Sequence, residues 1–216
     1  MTPSIHLAVE RIKQTGLIAI VRGDFSVSKI VKVGAALVSA QLNVMEVTLN
    51  SADALAAIAQ LRREFGERLL VGAGTVRTAA QVIEAQAANA QFIVSPNLDL
   101  ASVAHSQAQG LLHLPGVFTA TEAQTAFAAG CRLVKLFPAD LLGPAYLKAV
   151  RAPLDDVEFV PTGGITADNI AEYVRAGAVA VGVGGALIVN SSQTDDDVYA
   201  RAVQLRNAWE QAQHDS

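Results

Sequence analysis

A single cysteine, Cys131, is the entire thiol content of the chain. A lone thiol cannot close an internal disulfide or build a thiolate metal cluster, and its expected place is a buried position in a reducing compartment. Aromatic residues make up only 5% of the chain and charged residues 17%. That is too little charge for a disordered segment, and the alanine-, valine- and leucine-rich remainder suits one compact α/β domain over residues 1–216. Basic residues are the minority, 16 Lys and Arg against 20 Asp and Glu, for a net charge of −4. No nucleic-acid partner is expected, and an anionic ligand must be met by local groups. No apolar run is long enough to span a bilayer, and residues 1–14 lack a signal-peptide core; no membrane partner and a cytoplasmic location are expected. His6, His105, His113 and His214 are scattered without zinc-like spacing, so no metal site is expected from them, although a carboxylate magnesium site stays open on spacing alone.

What the chain does have is one repeated theme: a short apolar run, a turn, then an alanine-rich stretch of helical periodicity. The apolar runs are 17–21, 44–49, 69–72, 91–94, 111–114, 133–137, 157–160 and 179–183. They are β-branched and nearly continuous, as strands buried on both faces should be. Helices are predicted over 27–40, 52–65, 79–88, 98–109, 120–129, 144–150 and 167–176. Ser51, Thr78, Thr119 and Thr166 stand as cap-like openings, and Gly66, Gly110, Gly130 and Gly177 as closings. A last helix over 198–212 is expected to cover one end of the molecule, with a frayed tail from 211 to 216. Eight alternating β and α units predict a compact (β/α)8 TIM barrel with short loops. An open doubly wound sheet, the alternative, would gather its polar residues at one switch point, whereas here they stand at the ends of many runs.

In such a barrel the reactive residues lie at the C-terminal ends of the strands. Lys135 stands out there, a lysine inside the apolar run Leu133-Val134-Lys135-Leu136-Phe137. Desolvation would lower its pKa, and a neutral amine attacks a ketone to form an imine, an electron sink for a carbanion. The plain alternative is a lysine on the outer side of its strand, reaching water. Glu46, among Val44, Met45 and Val47, is either a proton-transfer group for that imine or an ion-pair partner of Lys135 or Arg22. Arg22 has the fork to bind a carboxylate and can equally be a loop arginine; Thr75 can donate to the same carboxylate or cap a helix. Thr162-Gly163-Gly164 and Gly184-Gly185 follow the seventh and eighth runs, the common phosphate corner of such barrels, where glycine can also serve a tight turn.

In order along the chain stand Ala19-Ile20-Val21-Arg22, Met45-Glu46-Val47-Thr48-Leu49, Gly72-Ala73-Gly74-Thr75-Val76 and Phe92-Ile93-Val94-Ser95-Pro96-Asn97. Pro115-Gly116-Val117, Val134-Lys135-Leu136-Phe137-Pro138-Ala139, Pro161-Thr162-Gly163-Gly164-Ile165 and Gly182-Val183-Gly184-Gly185 complete the set. From about Ile12 to Ile188 the chain closely resembles the family of 2-keto-3-deoxy-6-phosphogluconate (KDPG) and 2-keto-3-deoxy-6-phosphogalactonate (KDPGal) aldolases, with 4-hydroxy-2-oxoglutarate aldolase. The resemblance implies a class I, metal-free and cofactor-free aldolase, usually a homotrimer, acting on a keto acid and releasing pyruvate. It implies Lys135 as the imine-forming lysine and Glu46 as general acid/base, working partly through a water. Arg22 and Thr75 would contact the pyruvate carboxylate, and Pro96 and Phe137 would form apolar walls. Thr162, Gly163, Gly164, Gly184 and Gly185 would meet the distal end and phosphate. Some family members carry arginine at the place of Asn50; Thr48-Leu49-Asn50-Ser51 and the stretch from Gly143 to Lys148 are closer to galactonate-type members, Pro161-Thr162-Gly163-Gly164 to the gluconate type.

The implied reaction is cleavage of KDPG, KDPGal or both to pyruvate and glyceraldehyde 3-phosphate, as in the Entner-Doudoroff route. Its rivals are cleavage of 4-hydroxy-2-oxoglutarate to pyruvate and glyoxylate, a barrel that only binds a phosphorylated ligand, and a phosphate-binding isomerase or epimerase. Lys135 and Glu46, both present, argue against the binding-only barrel, and an isomerase or epimerase needs no lysine inside the sixth run.

Overall fold

A computed structural model describes residues 2–215. Met1, of the polar N-terminal stretch, and Ser216, of the tail, lie outside the described residues. The strands are β1 (Leu17–Val21), β2 (Val44–Thr48), β3 (Leu70–Gly74), β4 (Phe92–Val94), β5 (Leu112–Leu114), β6 (Gly116–Val117), β7 (Leu133–Leu136), β8 (Glu158–Pro161) and β9 (Val181–Val183). Every pairing among them is parallel. They form a six-stranded sheet in the order β5-β4-β3-β2-β1-β9 and a three-stranded sheet in the order β6-β7-β8. Each of the eight apolar runs therefore holds a strand, and a short additional strand, β6, follows the fifth. Pro115, which has no amide proton, separates β5 from β6, and its carbonyl accepts from Lys135 N at 2.9 Å. At the other seam, Thr162 bridges Gly182 in parallel and Val179 N donates to Phe159 O at 3.2 Å.

Parallel strands must be joined by crossovers, and helices fill them: α2 (Val27–Ser39), α3 (Ala54–Phe65), α4 (Ala79–Ala87), α5 (Leu100–Ala108), α6 (Ala120–Ala128), α7 (Ala139–Arg151) and α8 (Ile170–Arg175). Thr78 and Thr119 cap α4 and α6 as read, the latter in a capping box with Glu122. Ser51 does not cap α3, whose cap is Asp53; its hydroxyl instead accepts from Gly23 N at 3.0 Å and pairs with Thr48 Oγ1 at 2.9 Å. It thereby ties the ends of β1 and β2 together. Thr166 likewise donates its amide to Asn169, the cap residue of α8. Helix α7 starts five residues before the predicted 144, at Ala139, and breaks at Gly143, before Pro144.

The strands separate two apolar layers. Leu17, Ala19, Val21, Met45, Val47, Val71, Ala73, Ile93, Val134, Leu136 and Phe159 pack outward with the helices. Ile18, Val44, Leu70, Phe92, Val94, Leu112, Leu114, Leu133, Val160 and Ala180 meet one another on the inner face. Helix α1 (Pro3–Thr15) joins this inner cluster through Ile5, Ala8, Val9 and Ile12. It covers the N-terminal end of the strands, and Lys13 pairs with Glu158 of β8 at 2.5 Å. The last helix, expected over 198–212 to cover one end of the molecule, covers neither this end nor the cavity at the other. Instead α9 (Asp195–His214) lies in the outer layer beside α2 and α8, held by Lys29 to Asp195 at 2.8 Å and by Arg206 to Ala40 O at 2.9 Å. It runs on past Gln211 to His214, with Ala212 buried.

His113 alternates with Leu112 and Leu114 and so points outward, beneath α5. It is buried, with Nε2 2.8 Å from Ser95 Oγ and Nδ1 2.9 Å from Ser106 Oγ. Burial holds its pKa down to about 4, against the weaker opposing pull of Ser102 and Asp99. The folded state therefore resists a proton that the unfolded chain takes up near pH 6.5. Stability from this site is complete above that pH and is lost as pH falls toward 4, to a total of about 3 kcal/mol. Urea unfolding from pH 7 to 4 should show this slope in the wild type and its loss in His113→Gln; equal slopes would refute it.

Candidate active site

Alternation decides which side chains face inward. Lys135 shares the parity of Leu133, Glu46 that of Val44, and Thr162 that of Val160, all on the inner face. The outer-side alternative for Lys135 is thereby set aside. Lys135 is 3% exposed and Glu46 1%. Both border one narrow space with Ile18, Ile20, Val94, Leu114, Val160, Thr162 and Gly182. Above it, at the C-terminal ends of the strands, opens a cavity of about 520 Å³. Its walls include Arg22, Lys135, Phe137, Thr162, Gly163, Gly164, Gly184 and Gly185. Lys135 belongs to both spaces and so connects the buried carboxylate to the open cavity.

The electrostatics are those of two desolvated, opposed groups. Burial pushes the Glu46 carboxyl above its ordinary range, with Lys135 and then Arg22 pulling it back. Burial pushes the Lys135 amine below its ordinary range, opposed by the Glu46 charge and aided by Arg22. Neither Glu46 oxygen has a hydrogen-bond partner. A buried carboxyl without a partner is costly, so this arrangement suits a group that must meet a substrate atom or a water. Lys135 Nζ sits 4.7 Å from the centroid of the Phe137 ring. The ring stabilises a cation there while shielding it from water.

The turn that carries Phe137 is held from two sides. Ala139 N donates to Thr162 O at 2.8 Å, and Tyr173 of α8 donates its hydroxyl to Ala139 O at 3.0 Å. Nothing in the sequence marked Tyr173, because a helical tyrosine in an apolar pattern reads as core. The hydroxyl of Thr162 points back to Val160 O at 3.3 Å. Gly163 and Gly164 have φ of 104° and 67°, a left-handed backbone open to glycine. A Cβ on Gly164 would also lie 2.5 Å from Cβ of Asp140, so that carboxylate stands beside the corner. Asp140 had no place in the sequence reading, since nothing along the chain brings it near Gly164.

Thr75 and Pro96 are half-buried just past β3 and β4 and are not among the residues lining the cavity; Asn50 is exposed past β2. Ile165, Thr166 and Ile188 also line the cavity, although the sequence marked none of them as a site residue. A second cavity of about 510 Å³ lies at the opposite end, between α1 and the strands, with Ile5, Val9, Leu111, Phe127 and Cys131 among its walls. Its buried titratable groups are unsuited to chemistry: His113 is engaged at both nitrogens, and burial pushes the Cys131 thiol up to about 11. Among the described residues no three His, Cys, Asp or Glu side chains cluster to hold a metal ion, and no helix is long and apolar enough to cross a membrane.

Comparison with known proteins agrees with the geometry. Residues 9–205 match the family model described as KDPG and KHG aldolase. A 2-dehydro-3-deoxy-phosphogluconate aldolase of Treponema pallidum (strain Nichols) is 42% identical over 172 residues, 79% of this chain and 80% of the relative. A solved native KDPGal structure superimposes with a TM-score of 0.88 at 31% identity, over 92% of this chain and 96% of that one. A KDPG aldolase from Legionella pneumophila, solved with pyruvate captured at low pH as a covalent carbinolamine intermediate, has a TM-score of 0.80 at 25% identity, over 98% of each chain. With residues 9–205 matched by the family model and a relative 42% identical over 79% of its length, the chain belongs to the KDPG and KHG aldolase family of lyases.

Proposed function

We propose that this chain is a class I aldolase that cleaves a 2-keto-3-deoxy-6-phospho sugar acid to pyruvate and glyceraldehyde 3-phosphate through an imine on Lys135. The observation that carries the reading is the pairing, in one buried space, of a lysine whose pKa is lowered with a carboxylate whose oxygens have no partner. The neutral amine of Lys135 attacks the C2 ketone, forming a carbinolamine and then, with loss of water, an iminium. Glu46, directly or through a water, takes the C4 hydroxyl proton. The C3–C4 bond breaks, its electron pair moves into the iminium as an enamine, and the aldehyde leaves. Glu46 returns the proton to C3, and water hydrolyses the pyruvyl imine to regenerate the amine.

Arg22 on the cavity wall suits the substrate carboxylate, and Thr75 is a further donor from the end of β3. Phe137 and Pro96 serve as apolar walls. Thr162, Gly163, Gly164, Gly184 and Gly185 serve the distal end and phosphate. No cofactor or metal enters the scheme. The two sheets are inferred to close into one eight-stranded (β/α)8 barrel in a single domain, because the break at Pro115 and the bridge from Thr162 to Gly182 join them edge to edge. A homotrimer in the cytoplasm, within the Entner-Doudoroff route, completes the reading.

A second reading, cleavage of 4-hydroxy-2-oxoglutarate to pyruvate and glyoxylate, is favoured by Asp140. Its carboxylate beside Gly164 opposes a phosphate in that corner. The test of the chemistry is borohydride reduction in the presence of pyruvate, read by intact mass and peptide mapping. One reduced pyruvyl adduct on Lys135 is the expected result; no adduct in folded protein removes the imine mechanism. Comparing kcat/KM for phosphorylated substrate and 4-hydroxy-2-oxoglutarate then separates the two readings.

A further inference from the structure

Glu46 leans across to the neighbouring strand. Its Cα pairs with Gly72 in the ladder between β2 and β3, and Thr48 pairs with Gly74. Gly74 has the inner-face parity of Leu70, which brings its α-carbon beneath the Glu46 head group. A Cβ built on Gly74 would lie 2.7 Å from Cδ, 2.7 Å from Oε1 and 3.0 Å from Oε2 of Glu46. The carboxylate therefore occupies the volume that any side chain at position 74 would fill.

The backbone offers no relief. The two strands are paired along their full length, and Gly74 O also accepts from Leu49 N at 2.8 Å. Nor does conformation require glycine here, because Gly74 is not among the residues with positive φ. Gly72, one pair along, has a packing reason to be glycine, since its Cβ would strike the Phe92 ring at 2.5 Å. The contact at Gly74 is with a group that has no other partner to fix it. No hydrogen bond fixes the Glu46 carboxylate where it lies; besides the charges of Lys135 and Arg22, what shapes its seat is the space left by Gly74.

We infer that Gly74 is a positioning residue for the proton transfers of this enzyme: its bare α-carbon is the seat of the Glu46 carboxylate, and any larger residue there displaces it from the substrate. The inference rests on the reading of Glu46 as the acid/base, and it keeps the imine-forming amine of Lys135 in place. A methyl at position 74 pushes the carboxylate to another rotamer, and misplacement by about 1 Å is enough to slow a transfer some 10²-fold.

The test is exchange of the pyruvate methyl protons with D2O, followed by NMR from pH 5 to 9, with borohydride trapping alongside. It uses the wild type, Gly74→Ala, Glu46→Gln and the double variant. Gly74→Ala should trap pyruvate within about 2-fold of the wild type while exchange falls about 10²-fold and the Glu46 limb of the pH profile moves. In the Glu46→Gln background the same methyl should cost no more than about 2-fold. Thermal unfolding gives a reading apart from activity: Gly74→Ala should lower Tm in the wild type and not in Glu46→Ala, where the volume is vacant. If Gly74→Ala does not fold alone, recovery of folded protein on adding Glu46→Ala supports the inference, and continued failure overturns it. Slow exchange in Glu46→Gln with wild-type exchange in Gly74→Ala, or an equal loss in both backgrounds, overturns the positioning role alone. Wild-type exchange in Glu46→Gln overturns the acid/base reading and this inference with it.

Discussion

Lys135→Met is expected to abolish turnover and raise the melting temperature together. The amine is the only atom of Lys135 that the proposed chemistry uses, and methionine has none, so no imine forms. Loss of a covalent nucleophile costs at least about 10⁴-fold in kcat/KM, and the borohydride adduct should vanish. Stability should move the other way. Lys135 is 3% exposed, and burial already disfavours its charge. Methionine matches much of the lysine stem in length and carries no charge to desolvate. Glu46 then loses the neighbour that pulled its pKa down and stays neutral to higher pH. A gain of about 1 kcal/mol would raise Tm by about 2–4 °C in a chain of this size. Steady-state kinetics and calorimetry on the same preparation check both halves. Activity within 10-fold of the wild type would remove Lys135 from the mechanism. A clear fall in Tm would mean that its charge is compensated, as in a structural ion pair.

Glu46→Gln should separate imine formation from the proton transfers around it. Glutamine keeps the shape and removes the base, so turnover should fall by about 10²–10⁴-fold while pyruvate is still trapped on Lys135. The pH dependence has a definite sign. Glu46 acts as a base only when ionised, and Lys135 attacks only when neutral, so wild-type kcat/KM rises with pH. Its rise begins above the ordinary carboxylate range, where burial has pushed Glu46, and ends below the ordinary lysine range. The two groups are coupled, so the apparent values belong to the pair. Removing the Glu46 charge removes what opposed the lowering at Lys135. The pH dependence of trapping should therefore shift downward in the variant; an upward shift would contradict the coupling. Stability follows the linkage rule. The raised pKa of Glu46 makes its contribution complete below the unfolded value and lost as pH rises through the folded one. The variant should gain on the wild type as pH increases.

Both residues could be found in the sequence for the same reason. A lysine and a glutamate inside β-branched runs break a pattern that is otherwise apolar, and such residues are rarely buried without cause. Eight of the nine strands were legible because parallel strands buried on both faces read as continuous apolar runs. Helix α1 was not read, although Thr2 caps it, Pro3 opens it and Ile5, Ala8, Val9 and Ile12 share one face. Its polar composition masked that stripe. Ser51 was read as a local cap, and its bond to Gly23 depends on a neighbouring strand.

The sequence by itself determined the inventory: alternating strands and helices, one lysine and one glutamate set in apolar runs, glycine pairs after the last two strands, and a cysteine with nothing to pair with. The tertiary structure alone decided which face each side chain takes and what it meets there. Ile20 lies beside Glu46, Lys135 beside Val160, and Thr48 beside Gly74 because successive strands, each separated by a helix, pair in one register. A slip of one residue would turn every one of these side chains to the opposite face. Asp140 beside Gly164, and the Glu46 carboxylate over the bare carbon of Gly74, are products of that register and of helix packing. Pattern along the chain carries the period of an element, whereas its phase against a neighbour is fixed only when the two are pressed together.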